Sequence, residues 1–171
     1  MTADRRRKDI LDMLHRASAP VSASALAARL SVSRQVIVGD IALLRAAGAP
    51  VFATPRGYVL TEKENRGERR TVACRHNAAN MEAELCIMVD NGCTVEDVTV
   101  EHPVYGQITA RLDVSSRWDV KQFVERVASE EARPLSALTD GVHLHTLICP
   151  DPAAFDRTVR QLDEAGFLMK D

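Results

Sequence analysis

The stretch Leu30-Ser31-Val32-Ser33-Arg34-Gln35-Val36-Ile37-Val38-Gly39-Asp40-Ile41 decides the fold of the N-terminal third of this 171-residue chain. Ser33 stands as the N-cap of a helix running to about Ala47 and stopped by Gly48. Stepping 100° per residue, Ile37, Ile41 and Leu44 gather on one side, as core residues should. Upstream, Ser22 caps a short helix whose apolar face carries Leu26, Ala27 and Leu30, and Ser31-Val32-Ser33 is the tight turn between the two. Before that, Ile10, Met13, Leu14 and Ala17 recur at i, i+3, i+4 and i+7, a helix over residues 4–17 ended by Pro20. Downstream, Val51-Phe52-Ala53-Thr54 and Tyr58-Val59-Leu60 flank Pro55-Arg56-Gly57 as a hairpin wing with an arginine at its tip.

Two short helices joined by a three-residue turn form a helix-turn-helix arrangement. The outward side of the third helix presents Gln35, Gly39 and Ala42, with Arg34, Val38 and Arg45 on a flank. These types can read a major groove: Arg pairs with guanine edges, Gln with adenine, and Val or Ala contacts a thymine methyl. Ser33, Arg34, Gln35, Val38, Arg45 and the wing's Arg56 are the candidate contacts to double-stranded DNA. Charge agrees, with nine Lys or Arg against four Asp or Glu in residues 1–61 but nine against seventeen in residues 71–171. The chain is therefore read as a DNA-binding domain over 1–61, a charged linker over 62–70 and an acidic domain over 71–171.

The acidic domain opens with the strand Thr71–His76, then a helix from about Ala78 to Asn91 with Met81, Leu85, Met88 and Val89 on one face. Glu84 lies at the edge of that stripe and faces inward. Strands over 94–100 and 106–114 flank His102-Pro103-Val104-Tyr105-Gly106, Ser116 caps a helix, a strand covers 142–148, and a last helix follows Asp151-Pro152 with Phe155, Val159 and Leu162 buried. The order βαββαβα predicts an α+β domain with helices on one side of its sheet. In Gly141-Val142-His143-Leu144-His145-Thr146 the two imidazoles share one strand face, a metal-ligand spacing that needs further donors. The four cysteines form no C-x-x-C pair and are read as reduced packing thiols, His15 as structural, and Trp118 as filling a helix–sheet contact. No apolar run is long enough to span a bilayer and no signal-type core follows the basic N-terminus, so the expectation is a cytoplasmic protein without a membrane partner.

Residues 4–61 resemble the winged helix-turn-helix domain at the N-terminus of many bacterial regulators, biotin-ligase-type repressors among them, chiefly through residues 30–41. At Gly39 such domains commonly carry a longer polar or basic residue, and glycine inside a helix costs about 1 kcal/mol relative to alanine. His76 with Glu84, the His102–Gly106 motif and Gly141–Thr146 together resemble the 3H domain of niacin-responsive repressors of NAD-biosynthesis and niacin-uptake genes. The resemblance implies a repressor, not an enzyme, with one divalent transition metal per chain on His76, Glu84, His143 and His145, and nicotinic acid as co-repressor. Imidazoles with one carboxylate suit nickel or zinc better than calcium or magnesium. Arg75 and Arg111 are candidates for the effector's carboxylate, with His102 or Tyr105 bordering its ring. A homodimer would match a palindromic operator. A repressor responding to metal alone, or a metal-dependent enzyme fused to a DNA-binding domain, are the alternatives.

Overall fold

Local capping chemistry starts the helices where the sequence indicates. In this computed structural model, which describes residues 2–60 and 67–170, Thr2 caps α1 (Ala3–Arg16), Ser22 caps α2 (Ala23–Leu30) and Ser33 caps α3 (Arg34–Ala46). Each side-chain oxygen accepts from the amide three residues on, satisfying a donor that the helix itself leaves open. Two compact units result, Met1–Lys63 and Glu64–Asp171.

In the first unit Ile10, Leu14, Leu26, Ile37, Ile41, Leu44 and Val51 form an aliphatic core. Asp40, on the inner side of α3, is 3 % exposed. Arg6 makes a two-pronged ion pair with it, and Arg7 Nη1 stands 3.5 Å away. Those two basic residues therefore brace α1 against α3. The wing is an antiparallel pair, β1 (Val51–Thr54) and β2 (Gly57–Leu60), and Val21 bridges to Tyr58. Gly57 is required there, because at φ +141° a Cβ would sit 2.5 Å from the Val21 carbonyl.

The second unit holds β3 (Glu68–Arg75), a one-turn 3-10 helix (Ala78–Asn80), α4 (Met81–Asp90), β4 (Thr94–His102), β5 (Gly106–Val114), α5 (Arg117–Ser129), a further 3-10 turn (Leu135–Thr139), β6 (Val142–Cys149) and α6 (Pro152–Glu164). Its sheet runs β3-β6-β4-β5 with every pairing antiparallel. Leu85, Met88, Val89, Val95, Leu112, Val120, Leu147 and Leu162 fill the space between the sheet and the helices.

Three expectations are corrected. The linker expected over 62–70 has residues 62–66 outside the described residues, while Glu68, Arg69 and Arg70 are the start of β3, paired with Cys149, Ile148 and Leu147. On an edge strand charged residues keep one side solvated, and Arg69 pairs with Glu96 at 2.5 Å. Trp118 is 61 % exposed rather than packed. Two residues before the buried Val120, it lies about 160° round α5 from the core. Cys93 and Cys149 form a disulfide, leaving Cys74 and Cys86 as the free thiols among the described residues. The pairing of Thr94 with Ile148 sets Cys93 beside Cys149 on neighbouring strands.

Candidate functional site

Strand alternation builds the centre of the second unit. Along β6 burial alternates strictly, so His143, His145, Leu147 and Cys149 face inward. Across β3, Cys74 is the register partner of His143 and Val72 that of His145. His76 follows the last residue of β3 and is held by the start of β6: its amide donates to the Gly141 carbonyl at 3.4 Å. Gly141 has φ +87°, and a Cβ on it would meet the His76 carbonyl oxygen at 2.3 Å. Only glycine allows that approach. From the helix side, the first turn of α4 drives Glu84 down among these rings, where it is 1 % exposed.

The donors converge tightly. Glu84 Oε2 lies 2.7 Å from His76 Nε2 and 3.4 Å from His145 Nε2, and Glu84 Oε1 lies 2.9 Å from His143 Nε2. All four side chains are at most 4 % exposed. The other ring nitrogens fix the tautomers. Nδ1 of His76, His143 and His145 stands 2.8, 2.8 and 2.7 Å from the carbonyl oxygens of Asn77, Gly141 and Asp97. A carbonyl only accepts, so each Nδ1 donates, and each neutral ring turns an Nε2 lone pair toward one anionic carboxylate. His76 Nε2 lies off the hydrogen-bond line despite its short distance, and this buried atom has no hydrogen-bond partner. Such a crowd is relieved by protons on the rings or by a cation among them.

The electrostatics follow that geometry. Burial opposes ionisation of Glu84, but the hydrogen bond from His143 and the charge of His145, with His76 close by, hold its carboxyl far below the usual carboxylate range. Burial likewise opposes charged rings at His76 and His145, yet Glu84 raises both above the ordinary imidazole value. Cys74, wholly buried, is pushed up by burial and by the neighbouring Glu84.

Beside this cluster a cleft of about 520 Å³ opens, with Arg75, His76, Asp140 and Gly141 in its walls. His76 is thus shared between the donor cluster and the cleft.

A model for a 3H domain matches residues 69–171, and a model for an HTH domain matches residues 6–59. The chain belongs to the 3H-domain family. It is 44 % identical over 169 residues to "Transcription repressor NadR" of Bacillus subtilis (strain 168), an alignment covering 97 % of this chain and 94 % of that protein. It is 46 % identical over 166 residues to "Probable transcription repressor NiaR" of Thermotoga maritima, with the same two coverages. With its HTH domain and these relatives, the chain is a DNA-binding regulator of transcription and not an enzyme. Among the described residues no helix is long and apolar enough to cross a membrane.

In the 3H unit the four expected ligands, His76, Glu84, His143 and His145, come together in one buried cluster. Of the expected effector residues, Arg75 lines the cleft. His102 and Tyr105 sit at the β4–β5 turn, where His102 Nδ1 accepts from the amides of Val104 and Tyr105 and the two rings lie 4.9 Å apart. Arg111 pairs with Asp113 at 2.7 Å, and its register partner Asp97 puts it on the sheet face opposite His145. Residue-by-residue reading missed Cys74, although its alternation with His76 was a usable signal, and it missed Asp140 as a cleft wall.

On the HTH unit, Arg34, Gln35 and Gly39 are exposed on α3, Val38 is half-buried, and Ser33 is spent on the cap. Arg45 Nε donates to the Val51 carbonyl at 2.9 Å and its guanidinium lies 5.9 Å from the Tyr58 ring centroid, so this arginine ties the helix to the wing. Arg56 is at the wing turn, its amide held by Thr54 Oγ1 at 3.2 Å.

Proposed function

We propose that this chain represses genes of NAD biosynthesis or niacin uptake, holding one divalent transition metal, nickel or zinc, on His76, Glu84, His143 and His145, with nicotinic acid as co-repressor. The metal reading is carried by one observation: three imidazoles, each locked by an Nδ1–H donated to a backbone carbonyl, turn Nε2 onto a single buried carboxylate. A carbonyl behind each ring is the usual way a metal-ligating histidine is oriented. Nitrogen and carboxylate donors favour nickel or zinc over hard cations. When bound, the ion would neutralise Glu84 and pin β3, α4 and β6 together.

The co-repressor reading is supported by the adjoining cleft. Its volume of about 520 Å³ exceeds what one pyridine ring needs, and Arg75 offers a guanidinium to a carboxylate. The expected regulated genes follow from the resemblance to niacin-responsive repressors. The protein acts as a homodimer in the cytoplasm, two α3 helices meeting successive half-sites of a palindromic operator. Nicotinic acid acts through a higher affinity for the operator-competent arrangement of that dimer than for the incompetent one.

The test is an operator titration with metal-loaded, chelated and nicotinic-acid-saturated protein. Tight binding is expected only with metal and nicotinic acid together. Operator affinity indifferent to nicotinic acid would end the co-repressor reading, and a switch driven by metal alone would replace it with a metal-responsive repressor.

A further inference from the structure

We propose that Cys74 is a fifth donor of the metal centre, its thiolate sulfur joining the three imidazoles and Glu84; this rests on the metal reading above. Two alternating pairs face one another across β3 and β6. His143-Leu144-His145 supplies two rings to the inner face, and Cys74-Arg75-His76 supplies a sulfur and a ring to the same face. The register makes Cys74 the direct partner of His143, and directly opposed side chains have Cβ atoms about 4.5–5.5 Å apart. One ligand atom each from Cys74, Glu84 and His143 lie within 4.8 Å of one another. Donors bound to one ion at roughly 2.0–2.3 Å stand at most about 4.6 Å apart, so the three fit a common centre with a small adjustment.

Two further observations favour a donor over a filler. Cys74 is free and 0 % exposed, while the disulfide takes Cys93 and Cys149 elsewhere in the same core. In the cluster around Glu84, His76 Nε2 is buried without a hydrogen-bond partner. A sulfur within 4.8 Å of a carboxylate oxygen and an imidazole nitrogen, in a cluster that leaves His76 Nε2 unsatisfied, is poor apolar packing but a coherent ligand group. On coordination the S–H bond breaks, the sulfur lone pair binds the ion and the proton leaves to solvent. Five protein donors exceed the tetrahedral set of a structural zinc site, so the centre prefers an ion that accepts five or six ligands and tolerates sulfur.

The experiment loads the full-length protein, kept oxidised at Cys93–Cys149, with cobalt(II) and records its absorption, with stoichiometry from metal analysis. The expected result is one cobalt per chain with a sulfur-to-cobalt charge-transfer band in the near ultraviolet. That band is lost in Cys74→Ser and Cys74→Ala while cobalt stays bound through the nitrogen donors, and it persists in Cys86→Ser. One cobalt per chain with no such band, or a band that disappears in Cys86→Ser instead, overturns the Cys74 assignment and leaves the four-ligand reading standing. No bound cobalt, zinc or nickel at all overturns the four-ligand reading itself. Should both Cys74 variants fail to fold, the wild-type and Cys86→Ser spectra decide alone.

Discussion

Replacing Gly141 with alanine probes the joint on which the cluster hangs. Gly141 accepts from the His76 amide and from His143 Nδ1 through its carbonyl, and its own amide donates to Ser136 at 2.9 Å. At φ +87° an alanine suffers left-handed strain of about 1–2 kcal/mol. Its Cβ would also stand 2.3 Å from the His76 carbonyl oxygen, so the backbone that carries the His76 ring must retreat by about 1 Å to reach ordinary contact. Forced repacking of that kind costs a further 1–3 kcal/mol, roughly. Gly166 supplies the control: φ +76° with nothing within 4 Å of a Cβ, hence the strain without the collision. Thermal unfolding with chelator should show Gly166→Ala losing roughly 4–15 °C and Gly141→Ala clearly more, at about 4–8 °C per kcal/mol for a domain of this size. Metal titration should show Gly166→Ala unchanged and Gly141→Ala weakened by at least about tenfold, the scale on which disturbed ligand orientation is felt. Equal stability losses, with equal metal affinity, would refute the claim that Gly141 sets the position of His76.

Glu84→Gln keeps the shape and removes the charge; metal affinity should fall by more than about tenfold, and calorimetry finding wild-type affinity would exclude Glu84 as a ligand. In the chelated protein, His76 and His145 are raised above the ordinary value, so their contribution is full below about pH 6.5 and lost as pH climbs through the raised values. Glu84 is depressed, so its contribution is present above about pH 4.3 and decays on acidification below that. Denaturant titrations should therefore find the stabilisation by saturating metal growing from pH 5.5 to pH 8.5, roughly, as protons stop competing for the rings; an increment independent of pH would count against this. Gly39→Ala, exposed and with nothing within 4 Å of a Cβ, should stabilise the HTH unit by about 0.5–1 kcal/mol in chemical denaturation, and no gain would mean α3 is strained there. Arg34→Ala should cost about 1–3 kcal/mol of operator affinity and relax base preference, whereas Arg45→Ala should act mainly on wing stability, as melting and binding curves would separate.

What could be read from the chain was what depends on near neighbours. Ser22, Ser33 and Ser116 cap helices where expected because a cap is a contact over three residues, and Asp151 caps the last one in the same way. The face of β6 was legible because alternation is a property of the strand itself. Alternation puts Cys74 on the same strand face as His76, but only the pairing of β3 with β6 opposes it to His143. The same holds for Cys93 and Cys149, which are 56 residues apart and meet only because β4 and β6 are neighbours. Arg111 lies on the sheet face away from His145 because it alternates along β5 with Ala110 and Leu112 and is paired with Asp97.

If the cluster holds a metal as proposed, ion binding and stability should be inseparable in this unit. Removing one partner of a buried charged group is strongly destabilising, about 3–5 kcal/mol, because the remaining charge has no solvent to turn to. Glu84, 1 % exposed, has three imidazoles for partners, each a counter-charge only while it carries a proton on both ring nitrogens. A divalent ion meets that demand at any pH where the rings are neutral, and by mass action stabilises the fold by RT ln(1 + [L]/Kd), about 2.7 kcal/mol at a hundred times Kd. The elements it would join, β3, α4 and β6, are the ones that also carry Arg75, His76 and Gly141 to the cleft. An ion bound there would therefore order the cleft wall before any ligand arrives, and a ligand meeting an ordered wall loses less entropy on binding. Metal and effector should accordingly bind with positive coupling, each tightening the other by the same factor, as linkage requires. Calorimetric titration of nicotinic acid into loaded and chelated protein measures that factor, and a value of one would separate the two sites.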